Sequence, residues 1–169
     1  MLILITKAEE LIQISGINLK ELAGQLDCLM EEWSYFANKV TYEIISIEDR
    51  YLGYAGEPEE IPDTLADWER NEVERASSLI DRWDDLIPLS SRYDINEYSL
   101  MENFIGTIDD VHTRNCLCVA IEGRGAFRRF KDTARTLGVI DAWYHFKGEA
   151  LLVFAKDWCK GKGLPYNID

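Results

Sequence analysis

"EGRGAFRRFKDTARTLG", residues 122–138, sets five cations within twelve positions of a chain that is otherwise strongly acidic. On a helix at about 100° per residue, Phe127, Phe130, Ala134 and Leu137 fall on one apolar stripe. Arg124, Arg128, Lys131 and Arg135 form a second stripe, about 110° round the same wheel. The segment therefore predicts an amphipathic helix with its cations beside the core seam rather than opposite it. Long cationic side chains in that place lay their stems on apolar surface and reach for a partner at the edge.

Two partners are open. Asp132 is within helical reach of Arg128 and Arg129, and the first half of the chain offers Asp67, Glu69, Glu72 and Glu74. On that reading an ion-pair seam docks the two halves. Alternatively Gly123, Arg124 and Gly125 leave the first N–H groups of the helix open. With Arg128, Arg129 and Lys131 they form a candidate site for a phosphate or carboxylate. The Lys-Ser/Thr of a phosphate-binding P-loop is absent.

Charge elsewhere sharpens the contrast. The net charge is −13, with 7 Lys/Arg against 20 Asp/Glu in residues 1–90 and 11 against 11 in 91–169. Such an excess repels phosphate backbones and anionic lipid at long range, which counts against nucleic-acid and membrane binding. A nucleic-acid strand on the basic stripe, stacked on Trp143 or Tyr144, is the form such binding would take. With 47% hydrophobic and 29% charged residues in 169, the chain has the composition of a globular protein. It is long enough to bury about 70% of its unfolded surface without metal or disulfide. The apolar run at residues 1–5 is too short for a signal-peptide core or a bilayer span. The expectation is a cytoplasmic protein with Cys28, Cys116, Cys118 and Cys159 as reduced thiols.

Outward from the basic helix, the expected fold is α+β, a mainly helical body with a small antiparallel hairpin near the N-terminus. Residues 1–16 allow a short strand or a helical turn. Asn18 caps a helix, with Glu21 placed for a capping box and Leu19, Leu22, Leu26 and Leu29 or Met30 on its stripe. "WSYFANKVTYEIISI" (33–47) reads as a hairpin with strands at 33–38 and 41–47. "GYAGEPEEIPD" (53–63) is a break, and its acidic, proline-containing part, 57–63, links an N-terminal region (1–56) to a helical one (64–169) expected to share one core with it.

A long helix is predicted over 65–87, with Trp68, Val73, Ala76, Ile80, Trp83 and Ile87 inward. Its acidic outer face is a candidate surface for a protein partner. Asp94 caps the next helix, with Ile95, Tyr98, Met101, Phe104 or Ile105, and Ile108 inward. Asp109 or Asp110 starts another, which Gly123 stops. The last helix carries Trp143, Phe146, Ala150, Phe154 and Trp158 inward. The five tryptophans read as core rather than as a ligand pocket.

Catalytic chemistry is not indicated. His112 and Cys116 share a helix face, but Cys118 lies about 200° from Cys116 and no Cys-x-x-Cys occurs, so no metal site is assigned. There is no Gly-x-Ser-x-Gly, and His112 and His145 are the two histidines. A Cys159 nucleophile has no partner to nominate it. Asp84/Asp85 and Asp109/Asp110 diverge on a helix. No cofactor or catalytic residue is assigned.

"YDINEYSLMENFI" (93–105), "AIEGRGAFRRFKDT" (120–133), "AWYHF" (142–146) and "DWC" (157–159) resemble uncharacterised protein family one hundred and fifty-eight of the UPF series, found mainly in bacteria. The resemblance covers most of 18–160 and is strongest in Gly-Arg-Gly-Ala-Phe-Arg-Arg-Phe. The N-terminal helix and hairpin are similar in layout. The family carries no assigned activity, so the resemblance implies no function and singles out 123–132. The resulting expectation is a non-catalytic cytoplasmic binding or adaptor protein. The alternative is an anion-binding protein, for nucleotide or nucleic-acid phosphate, using the basic helix 124–135.

Overall fold

The computed structural model describes residues 16–91 and 94–168; the expected strand or helical turn before residue 16 lies outside them. Among the described residues the order is β1 (Ile17–Asn18), α1 (Leu19–Asp27), β2 (Trp33–Asn38), β3 (Ile44–Glu48), α2 (Asp49–Gly56), α3 (Asp67–Ile80), β4 (Leu86–Pro88), α4 (Glu97–Gly106), α5 (Val111–Ala120), α6 (Ala126–Thr136), α7 (Ile140–Lys162) and β5 (Tyr166–Asn167). This is an α+β fold with a mainly helical body.

The longest helix organises the rest. At 23 residues, α7 runs about 34 Å at 1.5 Å per residue. Its N-terminal half packs Trp143 against Met101, Phe104, Leu117 and Phe130 of α4, α5 and α6. Its C-terminal half packs Leu151, Ala155 and Cys159 against Leu19, Leu22 and Leu26 of α1. The buried positions 143, 151, 155 and 159 follow a line of fourfold spacing, one residue displaced from the predicted stripe; Phe146, Ala150, Phe154 and Trp158 flank it, half-buried.

Asn18 caps α1, its side chain accepting from the Glu21 amide at 3.0 Å. Just before it, Gly16 lies so close to the C-terminal segment that a Cβ there would stand 2.8 Å from Pro165 C and Tyr166 N. That approach lets Ile17 donate to Pro165 O at 2.8 Å and lets β1 pair with β5 in parallel.

The three-stranded sheet has the order β3-β2-β4, antiparallel throughout. The first predicted strand is matched, but the second begins at Ile44 instead of 41. Asn38 is the reason: its carboxamide oxygen accepts from Val40 and Thr41 N–H at 2.8 and 3.0 Å, spending 39–43 on the turn. Two other boundaries also differ. Glycines at 53 and 56 read as loop, yet 49–56 is helical, because Tyr51 is buried with Phe36, Ile47, Val73 and Ala76 and both glycines face open space. The predicted helix 65–87 stops at Ile80, since Leu86–Pro88 pairs with Phe36–Asn38 as an edge strand, a place that tolerates proline. Trp68, Ile80 and Trp83 are consequently exposed rather than core; Val73 and Ala76 are buried and Leu79 packs beside them. Of the five tryptophans, only Trp143 is fully buried.

Asn96, not Asp94, caps α4, accepting from Ser99 N–H at 3.0 Å. The Asp94 carboxylate instead binds Ser91. Asp110 caps α5 through Thr113 N–H at 2.7 Å, which holds its carboxyl below the usual range.

Candidate functional site

The basic helix forms as α6, but its cations divide into different roles. Gly123 and Gly125 both adopt positive φ, 70° and 82°, in the tight connection from α5. Arg129 turns back over this connection. Its guanidinium donates to the carbonyl oxygens of Ala120, at 3.2 Å, Glu122 and Arg124. Ala120 O is one of the carbonyls that the end of α5 leaves without a helical partner, and the other two belong to the connection itself. Glycine is favoured at 125 by its backbone sign, and a Cβ there would also press on Arg129 Nη1 at 3.1 Å.

Arg128 points outward. Its side chain is 92% exposed, with Nε 3.8 Å from Asp132. Arg135 shares Asp132 at 3.2 Å. Arg124 and Lys131 make no ion pair with a described residue. Two of the four acids expected to meet this stripe are engaged locally: Glu69 lies 3.6 Å from Arg50 and Glu72 3.1 Å from Arg75. The expected seam between the acidic half and the basic helix is therefore not formed among the described residues. Phe127, assigned inward, is exposed, and Ala126 takes the buried place beside Phe130 and Ala134.

This predicts a rank order. Arg129→Lys loses about 1 kcal/mol or more, because one ammonium cannot serve the spread of carbonyls that the planar fork reaches. Arg128→Ala stays within about 0.5 kcal/mol of the parent, its ion pair being solvated. Thermal unfolding of the two variants checks this; equal losses would remove the distinction.

The ionic link between the halves lies elsewhere. Lys147 falls on the fourfold line of α7 and is 13% exposed. Its ammonium meets Asp27 of α1 at 2.6 Å and Glu97 of α4 at 2.8 Å. Burial alone would lower its pKa, but hydrogen bonds to, and the charges of, these two carboxylates outweigh it and leave it raised.

Glu97 also lines a cleft of about 780 Å³ between β2, the segment after β4, the start of α4 and the start of α6. Met30, Trp33, Tyr35, Leu89, Tyr98 and Phe127 supply apolar lining, and Glu31 and Glu32 stand beside them. No Lys or Arg is among the described lining residues. Sequence reading missed this cleft because it joins residues near 30, 90 and 127. The signal it left was a set of aromatics, Trp33, Tyr98 and Phe127, all assigned to the core.

Among the described residues no group of three or more His, Cys, Asp and Glu converges. His112 Nε2 and Cys116 Sγ lie 3.8 Å apart on the outside of α5. Burial pushes the Cys159 thiol up to about 11, far from the thiolate a nucleophile needs. Among the described residues no helix is long and apolar enough to cross a membrane.

Fold and cleft thus define a helical α+β protein with an apolar, acid-flanked groove. Residues 64–168 match the Uncharacterised protein family (UPF0158), and the chain belongs to that family. The match begins after the first helix and hairpin, to which the sequence resemblance had extended. No curated protein and no solved structure matches the chain.

Proposed function

We propose that this chain is a non-catalytic binding protein and that the cleft beside β2 is its binding surface. One observation carries the reading. Met30, Tyr98 and Phe127, 55%, 38% and 44% exposed, converge from three separate segments on a single concave space. Apolar side chains from distant elements gathered in a pocket of several hundred Å³ are the usual composition of a ligand or partner site. The partner class is protein, which the sequence first placed on the acidic helix. There Glu69 and Glu72 are paired within the chain, while Asp67 and Glu74 remain as secondary contacts. The reading places the protein in the cytoplasm, where its four free cysteines stay reduced.

Nile red, a neutral dye that brightens in apolar sites, tests the surface. The folded chain is expected to bind one equivalent at neutral pH. Met30→Lys and Phe127→Lys should each abolish binding, whereas Val153→Lys, at an exposed apolar position on α7, leaves it intact. Dye binding that survives both cleft variants overturns the assignment.

A second reading keeps α6 as an anion site. It is favoured by the exposure of Arg128 and the lack of a carboxylate partner for Arg124 and Lys131 among the described residues. Inorganic phosphate then raises the melting temperature of the parent but not of Arg128→Ala. Arg129 is outside this site, since its donors are already spent on carbonyls.

A further inference from the structure

We infer that the occupant of the cleft is an extended peptide segment of a partner protein, apolar along its middle and flanked by Lys or Arg, which adds to β2 as a short strand opposite Trp33. This rests on the cleft being the binding surface.

The argument begins with the ladder. Four successive residues, Trp33, Ser34, Tyr35 and Phe36, line the cleft. Successive side chains of a strand point to opposite faces, so a space touching all four runs along the strand's edge. That edge is the one facing β4. Asn38 N–H bonds to Glu43 O on the β3 side, and Tyr35 O accepts from Leu89 N–H on the other. The antiparallel alternation therefore turns odd-numbered residues toward β4 and even-numbered ones toward β3. Pro88 opposite Phe36 agrees, since an even position asks nothing of the missing N–H.

Trp33 continues the odd series, so its N–H and C=O face the cleft. In register, Ser91 would pair with it. But Ser91 is committed elsewhere: its N–H donates to the Asp94 carboxylate at 2.7 Å and its C=O accepts from Asp94 N–H at 3.0 Å. At Ser91 the chain has left the sheet, and among the described residues no strand lies opposite Trp33 on this edge. Backbone groups at an open sheet edge are a template for another chain. A helix satisfies its own backbone and leaves these groups unpaired; an extended peptide exchanges two hydrogen bonds with them. Its alternate side chains meet Met30, Tyr98 and Phe127. Glu31 and Glu32, both exposed, select cations at its end.

The probe is a fluorescently labelled seven-residue peptide of alternating leucine and threonine between terminal lysines. It is expected to bind one to one, to compete with Nile red and to slow hydrogen exchange at the Trp33 amide. Methylating its backbone nitrogens one at a time should weaken binding about tenfold at one position, the equivalent of a lost net hydrogen bond. Glutamates in place of the lysines should weaken it too. Peptides that bind equally well whichever nitrogen is methylated, or failure of every peptide while Nile red still binds, overturn strand addition and leave the cleft standing. Failure of the parent chain to bind Nile red removes the cleft, and this inference with it.

Discussion

Trp143→Ala is expected to lower the unfolding free energy by about 3–5 kcal/mol, the cost of truncating a large aromatic in a packed core. The indole is completely buried. Its ring meets Phe130 edge-on at 4.9 Å and Phe104 at 5.5 Å, and stacks on Phe146 at 6.4 Å. Those rings come from α4, α6 and α7, so the cavity opens where three helices meet and none can collapse without moving the others. Against a total stability of about 5–15 kcal/mol, the variant stands near unfolding at ambient temperature. Trp143→Phe separates volume from polarity. The buried Nε1–H has no hydrogen-bond partner, and an unmade bond of this kind costs about 1–3 kcal/mol. Phenylalanine removes that donor while keeping most of the ring, so its loss should stay below about 2 kcal/mol. Urea unfolding of the three proteins decides it. A Phe variant as unstable as the Ala variant would show that the N–H is satisfied in solution.

Trp143 was also the easiest core residue to read from the chain, because it stands on a run of helical periodicity bounded by Gly138 and Gly163. Where periodicity and caps agree, as in α1, α5 and α6, the elements were legible. The failures share a cause: pairing across the sequence outweighed a local signal. Leu86–Pro88 looked like the end of a helix until β2 claimed it. Residues 49–56 looked like loop because a glycine count takes no account of Tyr51 packing under α3. The cleft was invisible for the same reason, being assembled from segments some thirty to sixty residues apart. The basic stripe misled in another way. A wheel shows which cations are neighbours, but it does not show that Arg129 folds back onto carbonyls, since backbone acceptors carry no sequence signature.

The fourfold line of α7 contained one more legible clue, a lysine among buried apolar positions, and it leads to the second large effect. Lys147→Ala is expected to cost about 2–3 kcal/mol, somewhat less than the roughly 3–5 kcal/mol for breaking a fully buried ionic contact, because the Asp27 arm is screened by solvent. Glu97→Gln should exceed Asp27→Asn, as Glu97 is the more enclosed carboxylate, its side chain 20% exposed against 44%. Removing the ammonium leaves both acids facing a site without a counter-charge. Lys147→Met with Glu97→Gln should therefore recover much of what Lys147→Met loses, a coupling that a double-mutant cycle reads. The pH dependence has a definite sign. The folded pKa of Lys147 is raised above its ordinary 10.5. Its contribution is then complete below that value and is lost as pH rises through the folded pKa. Between pH 7 and 9 the gap in stability between the parent and Lys147→Met should be constant, and above 10.5 it should close. A gap that closes on acidification instead would assign the effect to the carboxylates alone. Since Glu97 is anchored by this ammonium and also lines the cleft, the same variants should weaken Nile red binding without touching an apolar wall. That would join the stability of the fold to the shape of its binding surface through one buried charge.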